Sequence, residues 1–423
     1  MKIAIIGSGI AGNVAAYHLQ RDHEITVFEA GEHVGGHTHT HDVEHEGQRL
    51  AVDTGFIVCN DRTYPNFLAL MSELGVELQE SEMSFSVQTA SGLEYNGTTL
   101  NSLFAQRRNL VHPAFWRMIR DILRFNREAP WLLNSPDDSL RLGDYLHDAG
   151  YSRQFVEHYI LPMGAAIWSA GTETLRDFPA RYFVRFFHNH GMLSVDDRPQ
   201  WRTVRGGSAR YVEKLTAGFR DRIRLRTPVQ SVRRTPVGVF VKPAGAEAER
   251  FDRVFFACHS DQALAMLADP HPNERAVLGA IRYQRNEVLL HTDTRVLPKR
   301  ALAWAAWNYH VIDRASERVV VTYHMNMLQR LTTRTPLLVS LNLSDRIADD
   351  SVIRAMTYEH PVFTRAAVAA QARHAEIDGA DRAYFCGAYW RFGFHEDGVV
   401  SALTALDHFK QIEHAQRPLH RSA

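Results

Sequence analysis

A chain of 423 residues is too long for one ordinary hydrophobic core, so two domains are expected. Basic and acidic residues balance at 48 each, and no net field points to nucleic acid as a partner. The three cysteines, Cys59, Cys258 and Cys386, lie far apart without a C-x-x-C pair, which argues against a disulfide framework and fits a reduced, cytoplasmic setting.

The first stretch, KIAIIGSGIAGNVAAYHLQRDHEITVFEA, reads as a complete β-α-β unit. It starts so near residue 1 that no signal peptide is expected, and no apolar run reaches the roughly 20 residues of a membrane-spanning helix. The apolar run 3–6 is one buried strand, and helical spacing follows in Val14, Ala15, Tyr17, His18 and Leu19. In the loop Gly7-Ser8-Gly9-Ile10-Ala11-Gly12, Gly7 permits the tight turn and Gly9 lets backbone approach a diphosphate. Gly12 lets the helix lie close on the sheet. The diphosphate would sit at the helix N-terminus, where free N–H groups and the dipole favour negative charge. Glu29, ending the second strand, is placed to accept from a ribose 2′-OH and would repel a 2′-phosphate. The unit alone leaves NAD and FAD open.

Next comes GEHVGGHTHTHDVEHEG, where Gly35 and Gly36 suit a second close approach of backbone to cofactor. His37, His39, His41 and His45 alternate, which invites a metal reading. Alternation alone supplies no closed ligand set, so a polar strand face is the expectation and no metal is assigned.

GSGIAG, Glu29, GGHTHT and the VDTGF of residues 52–56 together resemble the FAD-binding half of flavin amine oxidases and their relatives. Those relatives include protoporphyrinogen oxidases, carotenoid desaturases and a bacterial group of FAD proteins linked to lipid acyl chains. His37 stands where the superfamily usually carries Arg, and this GGHT variant looks most like the lipid-linked group. Matches recur in order: WRTVRGGSARYVEKL from Trp201, Thr227-Pro228-Val229, FDRVFFAC from Phe251, and AYFCGAYWRFGFHEDGVVSALTAL from Ala383. The resemblance implies FAD as cofactor. The loop residues 7–12, Glu29, Gly36, His37 and Thr38 would hold its nucleotide side, and the backbone of Val229 its adenine. Gly55 and Phe56 would lie near the flavin ring. Gly387, Asp397, Gly398 and Val399 would complete the flavin site, with a helix starting near Gly398 aiming N–H groups at the N1–C2=O edge.

The implied fold is α/β: a Rossmann-like FAD-binding domain, discontinuous over 1–81, 200–284 and 380–423, with a mixed-sheet substrate domain from 82–199 and 285–379. In the latter, strands are expected at 82–89, 94–96, 286–292, 301–309, 318–325 and 335–343. Helices are expected at 113–127, 140–149, 153–160, 349–358 and 362–372. Only the tail after Gln411 looks frayed.

A flavin takes a hydride at N5, and the protein orients the donor. No lysine is well placed for amine oxidation, while aromatics such as Trp168, Phe186, Trp307 and Phe394 could line an apolar channel or build core. Candidates for proton transfer are His395 and Glu396, then Tyr309 and His324, with His188 and His190 secondary. For Glu396, capping of the last helix is the competing reading. In the 113–127 helix, Phe115, Met118, Ile119, Ile122 and Phe125 share one face and Arg117, Arg120, Arg124 and Arg127 the other. Packing on the second domain is the preferred reading, and peripheral contact with anionic lipid at the inner membrane face is its rival. The function expected is desaturation of an unsaturated or branched fatty acyl chain, free or in phospholipid. Amine or porphyrinogen oxidation, redox-neutral double-bond isomerisation and a regulatory flavoprotein without turnover are the alternatives.

Overall fold

The computed structural model describes residues 1–135, 139–194, 196–311 and 319–416. A five-stranded parallel sheet runs in the order Ile223–Arg224, Glu24–Phe28, Lys2–Ile6, Arg253–Phe256, Ala383–Phe385. Its central strand, Lys2–Ile6, is apolar at every position after Lys2 because both faces of the sheet are covered. Ile3 and Ile5 pack under helices Ile10–Leu19, Ala209–Thr216 and His395–Gln416. Ala4 and Ile6 face the antiparallel strands Val229–Thr235, Gly238–Pro243 and Glu249–Phe251 and the helix Ser260–Met266.

The first turn explains two of its glycines. Gly7 has φ +105°, a conformation that side chains rarely adopt. A Cβ at Gly12 would stand 2.0 Å from the Gly7 carbonyl oxygen, so only glycine lets this helix approach its strand.

The second sheet has seven strands, in the order Val352–Val362, Arg282–His291, Leu338–Leu341, Val321–His324, Trp307–Val311, Phe85–Thr89, Glu94–Asn96. It is mixed: all neighbours are antiparallel except Trp307–Val311 with Phe85–Thr89. Helices between residues 100 and 189 share its core, among them Pro113–Glu128, which buries Phe115, Met118 and Phe125. This two-layer plan matches the α/β reading with a mixed second sheet.

Several local expectations need correction. Residues 349–358 are not helical: a short turn, Asp349–Ser351, leads into Val352–Val362, which pairs with Arg282–His291 in ten registered positions. Cross-strand pairing along a long neighbour outweighs the helical composition of that segment. Residues 301–303 form a 3₁₀ turn, and the strand that follows is Trp307–Val311. The 153–160 helix continues through a π segment, Val156–Ile160, into Leu161–Trp168. Strand Val321–His324 lies within the expected 318–325, of which residue 318 is outside the described residues. The last helix runs on to Gln416, and the rest of the tail, 417–423, is outside the described residues.

Candidate functional site

Between the two sheets lies a cavity of about 1020 Å³, at the upper end of the roughly 300–1,000 Å³ typical of small-molecule sites. Its wall begins at Gly7, Ser8, Gly9, Ile10 and Ala11, passes Glu29, Gly36, His37 and Val229, and continues through Gly55, Phe56, Gly387 and His395 into the second domain.

At the glycine loop, the first amide to find a helical partner is that of Asn13, which donates to Gly9 O. The preceding N–H groups at the helix start are the unpartnered set that suits an anion. A Cβ built on Gly9 meets nothing within 4 Å, so that position borders open space on the cavity wall. Three hydrogen bonds fix the Glu29 carboxylate beside the loop. Oε2 accepts from Ser8 N–H at 2.9 Å and Ser8 Oγ–H at 2.5 Å, and Oε1 accepts from Gly31 N–H at 2.7 Å. A Cβ at Gly55 would come within 2.1 Å of His37 O, so glycine lets the two segments cross there. His37 itself is half-buried on the wall, its buried Nε2 unpartnered, and desolvation together with neighbouring His360 and His259 keeps its pKa well below the ordinary value. These donors, an open glycine face and a ribose-height carboxylate fit an adenine dinucleotide.

At the middle of the cavity the ring of His395 lies flat on Phe56, with centroids 3.7 Å apart and planes within 8°. Its Nε2 is 2.5 Å from Tyr211 Oη and 3.2 Å from Thr38 Oγ1, and burial lowers its pKa to about 3. The imidazole is therefore neutral at physiological pH, oriented by a tyrosine that no local sequence pattern singled out. Thr38 sits behind the wall in that network.

Other predicted residues lie off the wall. Glu396 uses both carboxylate oxygens to cap helix Pro65–Glu73: Oε1 accepts from Asn66 N–H at 3.0 Å and Asn66 Nδ2–H at 2.6 Å, and Oε2 from Phe67 N–H at 2.8 Å. It caps a helix, as the competing reading held, but a different one. Tyr309 is buried in the core of the second domain, and its strand neighbour Trp307 reaches the wall instead. His324 is likewise buried away from the cavity, whereas His190 lines it, stacked on Phe186 at 3.8 Å. Asp397 Oδ2 accepts from the N–H groups of Phe394 and Phe392, at 2.9 and 3.2 Å, which folds the loop that shapes the wall; burial raises its pKa to about 6. The last helix starts at His395, three residues before Gly398. Gly398 and Val399 are interior, and a Cβ at Gly398 would strike Ile10 Cγ2 at 2.6 Å, so this glycine seats the last helix on the first.

The second-domain end of the cavity is lined by Met163, Ile167, Trp168, Phe186, Phe392 and Phe394, with Trp307 and Tyr323. No lysine lines the described wall, and its two carboxylates, Glu29 and Glu359, lie with the glycine loop and with His259. Arg198 lines this end, is exposed, and makes no ion pair with a described residue. Tyr211, His259 and His360 escape sequence reasoning because each depends on a partner far along the chain, and Arg198 because only the fold brings it to the cavity wall. Among the described residues, no group of three or more His, Cys, Asp or Glu side chains could hold a metal ion.

The family of flavin containing amine oxidoreductases matches residues 10–300. Among solved structures, putrescine oxidase bound to putrescine is 16% identical with a TM-score of 0.68, covering 97% of this chain and 99% of that one. A putative protoporphyrinogen oxidase from Exiguobacterium sp. 255-15 is 18% identical with a TM-score of 0.66 and the same coverage. A CLA-producing fatty acid isomerase from P. acnes is 16% identical with a TM-score of 0.68, covering 96% of this chain and 98% of that one. At these identities the structures speak for the fold. The chain belongs to the flavin-containing amine oxidoreductase family and is an FAD-dependent oxidoreductase.

Proposed function

We propose that this protein oxidises an unsaturated or branched fatty acyl chain, free or within a phospholipid, by removing two hydrogens from adjacent carbons. The observation that carries this reading is the chemistry of the second-domain end of the cavity. It is aromatic and apolar, and among the described residues that line it there is neither lysine nor carboxylate and one cation, Arg198. An apolar chain with an anionic head fits that combination, whereas a protonated amine would lose its hydration there without a counter-charge. Gly7 to Gly12, Glu29, Gly36, His37 and Val229 would bind the nucleotide, and Gly55, Phe56 and Gly387 would border the flavin. Bound FAD supplies the hydride acceptor. Trp168, Phe186 and Phe394 would hold the chain and exclude water. An allylic carbon is the favoured donor because the developing cation is delocalised. His395, neutral and with Nδ1 free of any described partner, would accept the proton from the neighbouring carbon. Tyr309 and Glu396 have no part in this scheme, since one lies off the wall and the other caps a helix.

The test is anaerobic mixing of the holoenzyme with unsaturated fatty acids, phospholipids and simple amines, followed at the flavin absorbance. Lipid should bleach the flavin and amines should not. Product mass then separates the outcomes: loss of two hydrogens means desaturation, and an unchanged mass means isomerisation. Bleaching by a primary or secondary amine, with every lipid ignored, would replace this reading with amine oxidation.

A further inference from the structure

Helix Pro113–Glu128 and its flanks carry an outward surface that neither domain covers. The apolar face that packs inward is Phe115, Met118 and Phe125. On the opposite side, Trp116, Arg120, Leu123 and Arg127 follow at helical spacing, all exposed, with Trp116 at 48% and Leu123 at 54%. The next step of the same spacing is Trp131, 75% exposed, in the turn Ala129–Asn134. Leu110 and Val111, 47% and 84% exposed, sit at the N-terminal end, where the Trp116 indole N–H donates to Leu110 O at 2.8 Å. Most of the exposed large apolar side chains of the described chain fall between residues 100 and 131. Arg117 and Arg120 make no ion pair with a described residue, and Arg127 meets only Glu128, at 3.0 Å.

We infer that this surface docks on a bilayer containing anionic phospholipid. Tryptophan and leucine suit the headgroup–acyl boundary, and unpaired arginines beside them meet lipid phosphates. A second copy of this chain is the poorer occupant, because its arginines would face these at close range. A protein partner is poorer too, since the cores of such interfaces are depleted of charge, and here Arg alternates with apolar residues along the whole lane. The surface also lies close to the cavity. Phe125 contacts Phe155 at 5.5 Å, Phe155 stacks on Tyr159 at 5.7 Å, and Tyr159 lines the wall. The inference stands on the surface alone and does not require the substrate proposed above.

Co-sedimentation of the holoenzyme with vesicles tests it, comparing phosphatidylcholine mixed with phosphatidylglycerol against phosphatidylcholine alone, at low and high salt. The protein should pellet with the mixed vesicles at low salt and be released by high salt. R117Q/R120Q should lower the partition coefficient about thirtyfold, from the contribution of two basic side chains near an anionic surface. W116S/L123S should lower it at least about tenfold. R117Q/R120Q changes exposed sites, so its flavin absorbance and melting temperature should stay at the parent values; W116S/L123S also loses the indole hydrogen bond to Leu110 O, so its melting temperature should fall slightly while its flavin absorbance stays at the parent value. Absence of pelleting with anionic vesicles, or pelleting untouched by both variants, overturns the inference. So does a dimer in size-exclusion with light scattering that W116S/L123S converts to monomer.

Discussion

Two of the three glycines of the first turn, Gly9 and Gly12, make opposite predictions when each is replaced by alanine. At Gly12 the added Cβ would stand 2.0 Å from Gly7 O and 3.1 Å from the Ala257 Cβ, and the nearer atom is backbone that has no rotamer to escape into. Such overpacking costs about 1–3 kcal/mol, and a backbone clash belongs at the upper end. Unfolding entropy near 2.1 cal/mol/K per residue amounts to roughly 0.9 kcal/mol/K over 423 residues, so Gly12→Ala should lower Tm by roughly 3 °C. At Gly9 the Cβ meets no protein atom within 4 Å, and φ of −68° suits any residue. Loss of a glycine N-cap costs under about 1 kcal/mol, so Gly9→Ala apoprotein should melt within about 1 °C of the parent. Its methyl group would instead occupy the space where a diphosphate must meet the helix start. Displaced contacts of about 1–3 kcal/mol would weaken FAD binding roughly 5- to 150-fold. Differential scanning fluorimetry of apoprotein and quenching of flavin fluorescence measure the two effects separately. Parental FAD affinity in Gly9→Ala would refute the reasoning about the nucleotide end, and parental melting in Gly12→Ala would refute the packing argument.

Glu396→Gln removes a buried charged acceptor from three N–H groups at the start of Pro65–Glu73; a loss of about 1–3 kcal/mol is expected in urea denaturation, with the rate of flavin reduction kept within about threefold of the parent. A collapse of that rate in a stably folded variant would return Glu396 to the chemistry. Stability should fall as pH drops below 6.5, because burial lowers the pKa of His190, His291 and His324 to about 4 and of His310 and His395 to about 3. Above pH 6.5 the rings are neutral in both states; below it the unfolded chain takes protons that the fold refuses, at up to about 1.4 kcal/mol per pH unit for each ring. Asp53 and Asp397, raised to about 6, act in the opposite sense between pH 6 and 4, but two carboxyls oppose five rings. Denaturant midpoints that hold steady or rise from pH 6.5 to 5 would contradict this balance. Arg198→Gln should raise KM for a free fatty acid about tenfold or more and leave kcat close to the parent; equal loss in both would mean that Arg198 is not a headgroup anchor. Finally, NADPH alone should not bleach the flavin at a rate comparable with turnover, since a single dinucleotide fingerprint is present, and rapid anaerobic bleaching would reveal a nicotinamide site.

The features legible in the chain of residues are local ones. The β-α-β unit can be read because turn, helix and strand each depend on residues a few positions apart, and the closing Gly387-to-Leu406 stretch can be read for the same reason. Glu29 is legible as a carboxylate closing the second strand, and the fold sets it beside the glycine loop, bonded to Ser8. Everything that depends on distant partners was decided by tertiary structure. Residues 349–358 look helical in isolation, yet all of them from Val352 on join Val352–Val362, the longest strand of the second sheet, because Arg282–His291 offers ten pairing positions. Glu396 stands one residue from His395, yet one side chain caps a helix 330 positions away and the other stacks on Phe56 in the cavity. Tyr309 and Trp307, two apart on one strand, would be expected to share a face, and only the packing around them sends Trp307 alone to the wall. Tyr211 becomes the partner of His395 across 184 positions, a coupling that no spacing rule encodes. Burial and hydrogen bonding are properties of the assembled chain, so the same residue types acquire a structural or a chemical role only when the two sheets meet.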